Sequence, residues 1–289
     1  MLVSRLGYAA VKVTDVDKAL RFYVDTLGFQ ETGREGETIH LSCGLTHHDL
    51  VIKRAASPGL DRYCWKVASE EALGQLEKRL QEHGVATEWG TDMPRQGRTL
   101  RFTDPFGHIV EAVHSIEPVG SGLSIKGVEP LAVHHLALFV DDVQKGIDFY
   151  TQCLGFKVSD YVRMGPDLIG AFLRCNVDHH VIAMLRGPVG KLHHVNFLVQ
   201  TFDDLRRGAN RLFDGGYTIE YGPGKHGIGY NTFLYFFDDD GNRLELSSEM
   251  ALVHDEDDYP TKTWDENTFK IGTSMWGGPP PETFFSQGT

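Results

Sequence analysis

The sequence is poor in cysteine, in long apolar runs and in positive charge. Its 4 cysteines are scattered along 289 residues without a Cys-x-x-Cys pair, which predicts reduced thiols rather than a disulfide framework. No stretch approaches the roughly 18 consecutive apolar residues of a transmembrane helix, and the N-terminal residues lack the apolar segment of a signal peptide. We therefore expect a cytoplasmic protein without a membrane partner.

The charge balance argues against nucleic acid as a partner. The chain has 28 Lys and Arg residues against 40 Asp and Glu, a net charge of -12, and such a surface repels a phosphate backbone. Apolar residues make up 41% of the sequence, enough to build a core. The length allows one large domain or two of ordinary size.

Two stretches of the chain, 127 residues apart, align without a gap. They are "YAAVKVTDVDKALRFYVDTLGF" from Tyr8 and "HLALFVDDVQKGIDFYTQCLGF" from His135. Their apolar residues recur at i, i+4, i+7 and i+11, which predicts one buried helix face after a strand. The predicted helix caps and glycine stops are Asp15, Asp142, Gly28 and Gly155.

Two further matches, at offsets of 132 and 134 residues, extend the repeat over both halves of the chain. Each half then contains two βαβββ units, which predicts an α+β fold. We expect a non-catalytic domain over 1–120, a metal-binding domain over 129–250 and an aromatic tail over 251–289. The loop-rich segment 114–130 has the composition of a linker between the halves.

The two copies differ where chemistry would be expected. The offsets place Tyr8, Arg62 and Glu111 of the first half opposite His135, His194 and Glu245 of the second. Two imidazoles and one carboxylate suit Fe(II) or Mn(II) and leave coordination positions open. The second half thus has a candidate metal site, and the first half keeps the scaffold without the ligands.

The residues alone leave alternatives open at this point. The three side chains could be unrelated, two half-buried histidines and a surface glutamate. Both His135 and His194 also follow another histidine, in "VHHLAL" and "LHHVNF". Neighbours in a strand point to opposite faces, so the period does not decide which histidine of each pair is the ligand.

The segment "GKHGIGYNTFLYFFDDDGNRLE" (224–245) resembles the signature of the extradiol dioxygenases. The matching positions are Gly224, His226, Leu234, Tyr235, Gly241 and Glu245. Asp239 departs from the pattern, which has proline there. The two repeated halves resemble the type I extradiol enzymes of the vicinal-oxygen-chelate superfamily. "RGPVGKLHHVNF", "GPGKHG" and the tryptophan-containing tail are most similar to the homoprotocatechuate 2,3-dioxygenase group.

The resemblance implies a reaction and a ligand set. It implies that His135, His194 and Glu245 bind Fe(II), or Mn(II), without an organic cofactor, and that His134 and His193 pack behind the ligands. The substrates would be a catechol and O₂, and the ring would be cleaved next to the diol. A homo-oligomer, dimer or tetramer, is also expected.

Three further residues match catalytic positions of the family. The resemblance implies that His180 is the acid–base catalyst and that His226 and Tyr235 hydrogen-bond substrate or leaving oxygen. The alternatives are a polar hairpin end at His179 and His180, and an ordinary strand aromatic at Tyr235. The other histidines are interpreted as surface or turn residues: His40, His47, His48, His83, His108, His114 and His254. His47–His48 is interpreted as resembling the other pairs only by chance.

The tail bears on the choice of substrate. It carries five large aromatic residues, Trp264, Phe269, Trp276, Phe284 and Phe285, too many for a solvated acidic tail. We therefore expect a lid packed across the catalytic half rather than a disordered segment. The family holds its substrate carboxylate with arginines, but this chain has Tyr221 before "GPGKHG" and no arginine after Glu249. A less acidic, more hydrophobic catechol is favoured, although Lys225 could serve an anion.

Two other functions remain as alternatives within the same superfamily. A glyoxalase-like metal isomerase draws its ligands from both paired modules, whereas the candidate ligands here lie in one half. A metal-free ligand-sequestering protein of the bleomycin-resistance kind would not need His135, His194 and Glu245 together.

Overall fold

Four strand–helix–three-strand units follow one another along the chain. The computed structural model describes residues 1–44, 46–90, 93–119, 127–257 and 259–289. The first-half strands are β1 Val3–Val13, β2 Gln30–Glu35, β3 Thr38–Ser42, β4 Leu50–Arg54, β5 Gly59–Val67, β6 Thr87–Trp89, β7 Thr99–Thr103 and β8 Ile109–Val113. The first-half helices are α1 Val16–Leu20 and α2 Glu70–Glu82.

The second half repeats this order and adds a tail. Its strands are β9 Ala132–Val140, β10 Lys157–Met164, β11 Asp167–Arg174, β12 Ile182–Arg186, β13 Lys191–Leu198, β14 Ile219–Lys225, β15 Thr232–Phe237 and β16 Arg243–Ser248. Its helices are α3 Val143–Asp148 and α4 Phe202–Asp214. The tail contains β17 Lys262–Trp264, α5 Phe269–Thr273 and α6 Thr283–Ser286. This arrangement confirms the predicted α+β fold of repeated βαβββ units. Residues 120–126 of the predicted linker lie outside the described residues, and the domain boundaries stay a prediction.

Each half forms one mixed sheet with the first strands of its two units at the centre. The strand orders are β2-β3-β4-β1-β5-β8-β7-β6 and β14-β15-β16-β13-β9-β12-β11-β10-β17. The register repeats as well. Cys64 pairs with Glu111 in the first sheet, and Asn196 pairs with Glu245 in the second. These pairs are related by the offsets of 132 and 134 found in the sequence, so equivalent residues occupy equivalent places.

The first helix of each half begins as predicted but changes its winding. The side chains of Asp15 and Asp142 accept hydrogen bonds from backbone N–H groups of the first turn. After α1 and α3 the chain continues as π-helical turns, Arg21–Thr26 and Phe149–Cys153. A π turn holds more residues than an α turn, so it lets two consecutive aromatic side chains, Phe22 and Tyr23, both face the core.

Buried polar contacts join the halves. Tyr23 in the first half donates to Asp238 Oδ2 in the second, at 2.9 Å. Tyr150 in the second half lies 2.5 Å, hydroxyl to hydroxyl, from Tyr63, which donates to Asp104. Asp104 and Asp238 are equivalent at the offset of 134, so the interface has approximate twofold character.

The thiols and the lengths of the helices bear on the redox state and on membrane insertion. All 4 cysteines are free thiols, with Cys43 half-buried and the others buried. No helix in the described ranges is long and apolar enough to cross a membrane.

Candidate metal centre and active site

Three neighbouring strands of the second sheet bring His135, His194 and Glu245 together. β13 lies between β9 and β16, and each of these strands supplies one of the three side chains. They are 1%, 5% and 1% exposed. Strands fix the direction of their side chains, so a site built on them is held rigidly.

The three ligand atoms form a nearly equilateral triangle. His135 Nε2 lies 3.2 Å from His194 Nε2 and 3.1 Å from Glu245 Oε2, and His194 Nε2 lies 3.2 Å from Glu245 Oε2. Bonds of about 2.1 Å to one ion, at right angles, place neighbouring ligand atoms about 3 Å apart. The triangle therefore has the size of one face of an octahedral coordination sphere.

The charge state of these groups also suits a cation. Glu245 Oε2 is buried and has no hydrogen-bond partner among the described residues. Burial opposes ionisation of Glu245, but the two histidines outweigh it and hold the pKa of Glu245 well below its usual value. Burial lowers the pKa of His135 to about 4. A carboxylate oxygen without a hydrogen-bond donor, beside a neutral imidazole, fits a divalent ion.

His193 sets the tautomer of His194. His193 Nε2 donates to the carbonyl of Phe284 at 2.7 Å, and burial lowers its pKa well below the usual value, so the ring is neutral. Its Nδ1 therefore accepts, and His194 Nδ1, 2.7 Å away, must donate. That leaves the lone pair of His194 on Nε2, where the cation would lie.

His134 has the same relation to His135. Its Nε2 faces Asp178 Oδ2 at 3.3 Å, and its Nδ1 lies 3.1 Å from His135 Nδ1. A proton on His134 Nε2 makes His134 Nδ1 the acceptor and directs the His135 lone pair through Nε2. Both first members of the pairs thus contact the predicted ligands from behind, as the resemblance implied.

His180 lies just before β12 and beside the triangle of His135, His194 and Glu245, which we call the metal triangle. Its ring centroid is 4.5 Å from that of His135, and its Nδ1 is 3.1 Å from His179 Nδ1. Its side chain lines the cavity over the triangle. Burial lowers the pKa of His180 well below the usual value, so the free imidazole is neutral and has a lone pair to accept a proton.

His226 and Tyr235 form a hydrogen-bonded pair on the other side of the site. His226 Nδ1 donates to the carbonyl of Thr273 in the tail, so its Nε2 is the acceptor for the Tyr235 hydroxyl, 3.1 Å away. Burial raises the pKa of Tyr235 well above its usual value, which keeps the phenol protonated. The ring of Tyr235 also lies against His194, 5.3 Å between centroids.

Sequence reasoning missed Asn231. Its amide donates to Glu245 Oε1 at 3.2 Å and so orients the carboxylate. The internal repeat carries a weak signal for it. In the first half the amide of Gln96 donates to Glu111 at 3.3 Å, but Gln96 and Asn231 are offset by 135 residues rather than 134.

The first-half counterpart of the site is an ion-paired cluster. Tyr8 donates to Glu111 Oε2 at 2.5 Å. Arg62 and Arg101 donate to Glu111 Oε1 at 3.1 and 2.7 Å. Glu111 is fully buried, and two guanidinium groups neutralise it where the second half offers a carboxylate to a cation. Tyr8 and Arg62 thus occupy the positions of the candidate ligands His135 and His194, and a purely structural role for this cluster stays a prediction.

The interpretation of seven histidines as surface or turn residues was wrong for His40, which is buried on β3. His48 and His108 do lie in the turns before β4 and β8, but they are buried there. His40 and His48 are 0% exposed, and His108 is 7% exposed. His108 is buried because its Nδ1 pairs with the buried Asp104, 2.8 Å away.

The place of His47–His48 in the fold is not a chance likeness. The pair precedes β4, which is parallel to β1 in the register that β12 has with β9. His48 is therefore the equivalent of His180, at an offset of 132. The sequence analysis missed this equivalence because it looked for a strand with a carboxylate in register. In the first half that strand, with Glu111, belongs to the β5–β8 unit, whereas His47–His48 belongs to the β1–β4 unit.

The tail closes one side of a cavity over the metal triangle. The cavity has a volume of about 60 Å³, counted as the space open to the centre of a water-sized sphere. Its apolar lining consists of Ala137, Val162, Phe172, Ala183, Leu185, Ile228, Phe269, Phe284 and Phe285. β17 pairs with β10, and the terminal Thr289 exchanges backbone hydrogen bonds with Leu192 of β13. The tail is thus packed on the second half, and its opening and closing as a lid stay a prediction.

The comparisons with known proteins agree with this geometry. The profile described as "Glyoxalase/Bleomycin resistance protein/Dioxygenase superfamily" matches residues 5–112 and 132–246. Because the match covers more than half of the chain, the protein belongs to this superfamily.

Named relatives narrow the likeness to ring-cleaving dioxygenases. Metapyrocatechase from Pseudomonas sp. (strain CF600) is 29% identical, over 84% of this chain and 85% of its own. The manganese-dependent 2,3-dihydroxybiphenyl 1,2-dioxygenase from Geobacillus genomosp. 3 is 27% identical, over 96% and 94%. Homoprotocatechuate 2,3-dioxygenase from Brevibacterium fuscum, solved with 3,4-dihydroxyphenylacetate, superposes with a TM-score of 0.90 at 26% identity, over 98% of this chain and 91% of that one. The resemblance to extradiol dioxygenases, and to the homoprotocatechuate group, is confirmed.

Proposed function

We propose that the protein is an extradiol dioxygenase that cleaves a catechol with O₂ at a mononuclear Fe(II) or Mn(II). His135, His194 and Glu245 are the proposed ligands. The observation that carries the proposal is their buried triangle, with edges of 3.1–3.2 Å, in a chain related over nearly its whole length to such dioxygenases. The donor set suits both ions, and one relative is named as manganese-dependent.

When bound, the cation supplies Lewis acidity and an electron path between catechol and O₂. The protein transfers the proton. His180 has its Nδ1 turned to His179, which leaves Nε2 to take the proton of a catechol hydroxyl. The resulting imidazolium is buried against its preference for neutrality, so it readily returns the proton to an oxygen of the reacting group.

His226 and Tyr235 position oxygen atoms on the opposite side. The tail carbonyl of Thr273 fixes His226 as an acceptor at Nε2, and the protonated Tyr235 is a donor. Because the Tyr235 hydroxyl donates to His226 Nε2, a substrate hydroxyl can donate to the Tyr235 oxygen, or it can displace this hydrogen bond and meet one donor and one acceptor. The apolar walls of the cavity exclude water and strengthen these hydrogen bonds.

The substrate we propose is a catechol with an uncharged, apolar substituent. Among the described residues that line the cavity there is no lysine or arginine. The hydroxyl of Tyr221 donates to Thr273, and Lys225 pairs with Glu249 at 3.3 Å. Neither is placed to hold a carboxylate inside the cavity.

The proposal includes a cytoplasmic location and a homo-oligomer, dimer or tetramer, as expected from the sequence. Light scattering coupled to gel filtration measures the assembly directly.

Metal analysis combined with O₂ uptake tests the function. Protein purified without oxygen is expected to contain one Fe(II) or Mn(II) per chain, and to consume one O₂ per catechol while a ring-opened yellow product forms. In a panel of catechols, 3- and 4-alkyl or aryl derivatives should give a higher kcat/KM than 3,4-dihydroxyphenylacetate. Metal binding with isomerase activity and no O₂ uptake would favour a glyoxalase-like enzyme. Ligand binding without metal would favour a sequestering protein.

A further inference from the structure

We propose that the first half holds a second cation site, formed by His40, His47 and His48, for a borderline divalent ion of the zinc type. One ring nitrogen from each of the three residues lies within 4.8 Å of the others. Their ring centroids are 5.4, 5.5 and 5.4 Å apart. The site is separate from the pocket in the second half and from the proposed reaction.

His40 is the residue that most clearly lacks a partner. It lies on β3 and is 0% exposed, yet neither of its ring nitrogens has a hydrogen-bond partner among the described residues. Buried polar atoms are nearly always paired. A cation between His40 and its two neighbours would satisfy one of these nitrogens.

Gln96 fixes His48 in the tautomer that a ligand needs. The amide nitrogen of Gln96 donates to Thr99 Oγ1 at 2.9 Å and to Glu111 at 3.3 Å. Its Oε1 therefore faces His48 Nε2, 3.2 Å away, and that nitrogen must carry the proton. The lone pair of His48 is left on Nδ1, directed at His47 Nδ1, 3.1 Å away.

This tautomer is the reverse of the one at the metal triangle. In the second half the partners of His134 and His193 place the lone pair of the following histidine on Nε2. In the first half the Nε2 of His48 faces Gln96, whose amide contacts the neutralised Glu111. The lone pair of His48 is instead turned toward His40 and His47. A ligating histidine that donates its other N–H to a carbonyl is the usual arrangement around metals.

The surroundings allow an ion to enter and bind. Burial lowers the pKa of His40 to about 4 and that of His48 to about 3, so neither proton competes with a cation at neutral pH. His47 is half-buried and lines an open surface cleft with Arg95 and Glu117. Arg95 is ion-paired with Glu117 at 3.0 Å, which reduces its repulsion of a cation.

The donor set decides the class of ion. Three imidazoles without a carboxylate suit Zn²⁺, Co²⁺, Ni²⁺ or Cu²⁺ better than the weakly binding Mn²⁺ and Fe²⁺. Bonds of about 2.0–2.1 Å place neighbouring nitrogens about 3.3 Å apart. The Nδ1 atoms of His47 and His48 already have nearly this spacing, at 3.1 Å, and a His40 nitrogen would have to move only from a separation of at most 4.8 Å. The ion would tie β3 to the segment before β4 and stabilise the first half.

The repeat provides the test variant. Phe172 occupies the place equivalent to His40, at the offset of 132, so His40→Phe is compatible with this module. Chelator-treated protein would be loaded with Zn²⁺, desalted and analysed for zinc per chain. The wild type should hold one more zinc than His40→Phe, and the same loss is expected for His47→Ala. Replacement of an exposed histidine, His254→Phe, should lose none.

Thermal unfolding and turnover complete the test. Zn²⁺ should raise the Tm of the wild type more than that of His40→Phe. After reconstitution with Fe(II), both should cleave catechols at the same rate, which separates this site from the proposed active site. Equal zinc content in the wild type, His40→Phe and His47→Ala would overturn the proposal, whatever the outcome for ring cleavage. The partly exposed His47→Ala keeps the test decisive if His40→Phe does not fold.

Discussion

Replacing His193 by phenylalanine isolates the effect of a histidine that lies behind a metal ligand. The ring of His193 packs against Phe139 and Phe284, with centroids 4.9 and 4.7 Å away, and phenylalanine retains these contacts and nearly the same volume. What is lost is the acceptor for His194 Nδ1–H and the donor to the Phe284 carbonyl, both at 2.7 Å.

The expected effect is on metal affinity rather than on chemistry. Without its acceptor, His194 loses its fixed tautomer and some basicity at Nε2. Removal of such an outer partner typically weakens metal binding 10- to 100-fold, equivalent to about 1.4–2.7 kcal/mol. The unpaired Phe284 carbonyl would lower the free energy of unfolding by a further ~1–3 kcal/mol and loosen the tail.

The assay is a competition titration of the metal-free protein with Mn²⁺ and a chelator of known affinity, followed by turnover at saturating metal. His193→Phe should show the weaker affinity, with kcat within several-fold of the wild type. The exposed His83→Phe is the matched control and should bind metal as the wild type does. A folded His193→Phe with unchanged affinity would refute the tautomer argument, and so would a lost kcat at full metal occupancy.

Three other predictions concern the proposed ligands and their counterparts. His180→Phe should retain metal and lose roughly 10²–10⁴-fold in turnover, whereas His194→Phe should lose metal and activity together. The reverse pattern of metal content would show that the ligand assignment is wrong. Glu245→Gln should abolish metal-dependent O₂ uptake, while Glu111→Gln should leave turnover within a few-fold. Glu111→Gln should nevertheless lower the free energy of unfolding, measured by denaturant titration, by roughly 3–5 kcal/mol. The reason is that the buried Arg62 and the half-buried Arg101 lose their counter-charge. An inactive, fully stable Glu111→Gln would mean that the first half has chemistry of its own.

Comparison of the two halves within one sequence accounts for most of the successful predictions. The offsets aligned helix caps and strands without any structural information. They also identified His135 and His194 as residues that only one copy has, beside a glutamate that both copies keep, Glu245 and Glu111. The same offset of 132 relates His48 to His180, but the sequence analysis did not apply it there. The burial of His48 and His40 was missed because a polar pair before a short strand has no hydrophobic periodicity of its own.

No local sequence pattern could predict which residues the tail contacts. Its aromatic content indicated packing, but not that Phe284 would offer its carbonyl to His193 or that Thr273 would fix the tautomer of His226. Asn231 escaped for a similar reason. It contacts Glu245 from 14 residues away, and an asparagine before a strand is most often only a turn residue.

The sequence by itself determined the repeated units, the inequality of the two halves and the donor set of the metal site. These follow from local periodicity and from the identity of residues at matched positions of the repeat. Both can be read along the chain without knowledge of its fold. Only the tertiary structure decided which nitrogen of each histidine carries the lone pair and which side chains line the cavity. It also decided that His40 has no hydrogen-bond partner among the described residues. Those properties depend on where distant carbonyls, carboxylates and amides lie relative to a ring, and distances between non-local atoms are set by packing rather than by spacing along the chain.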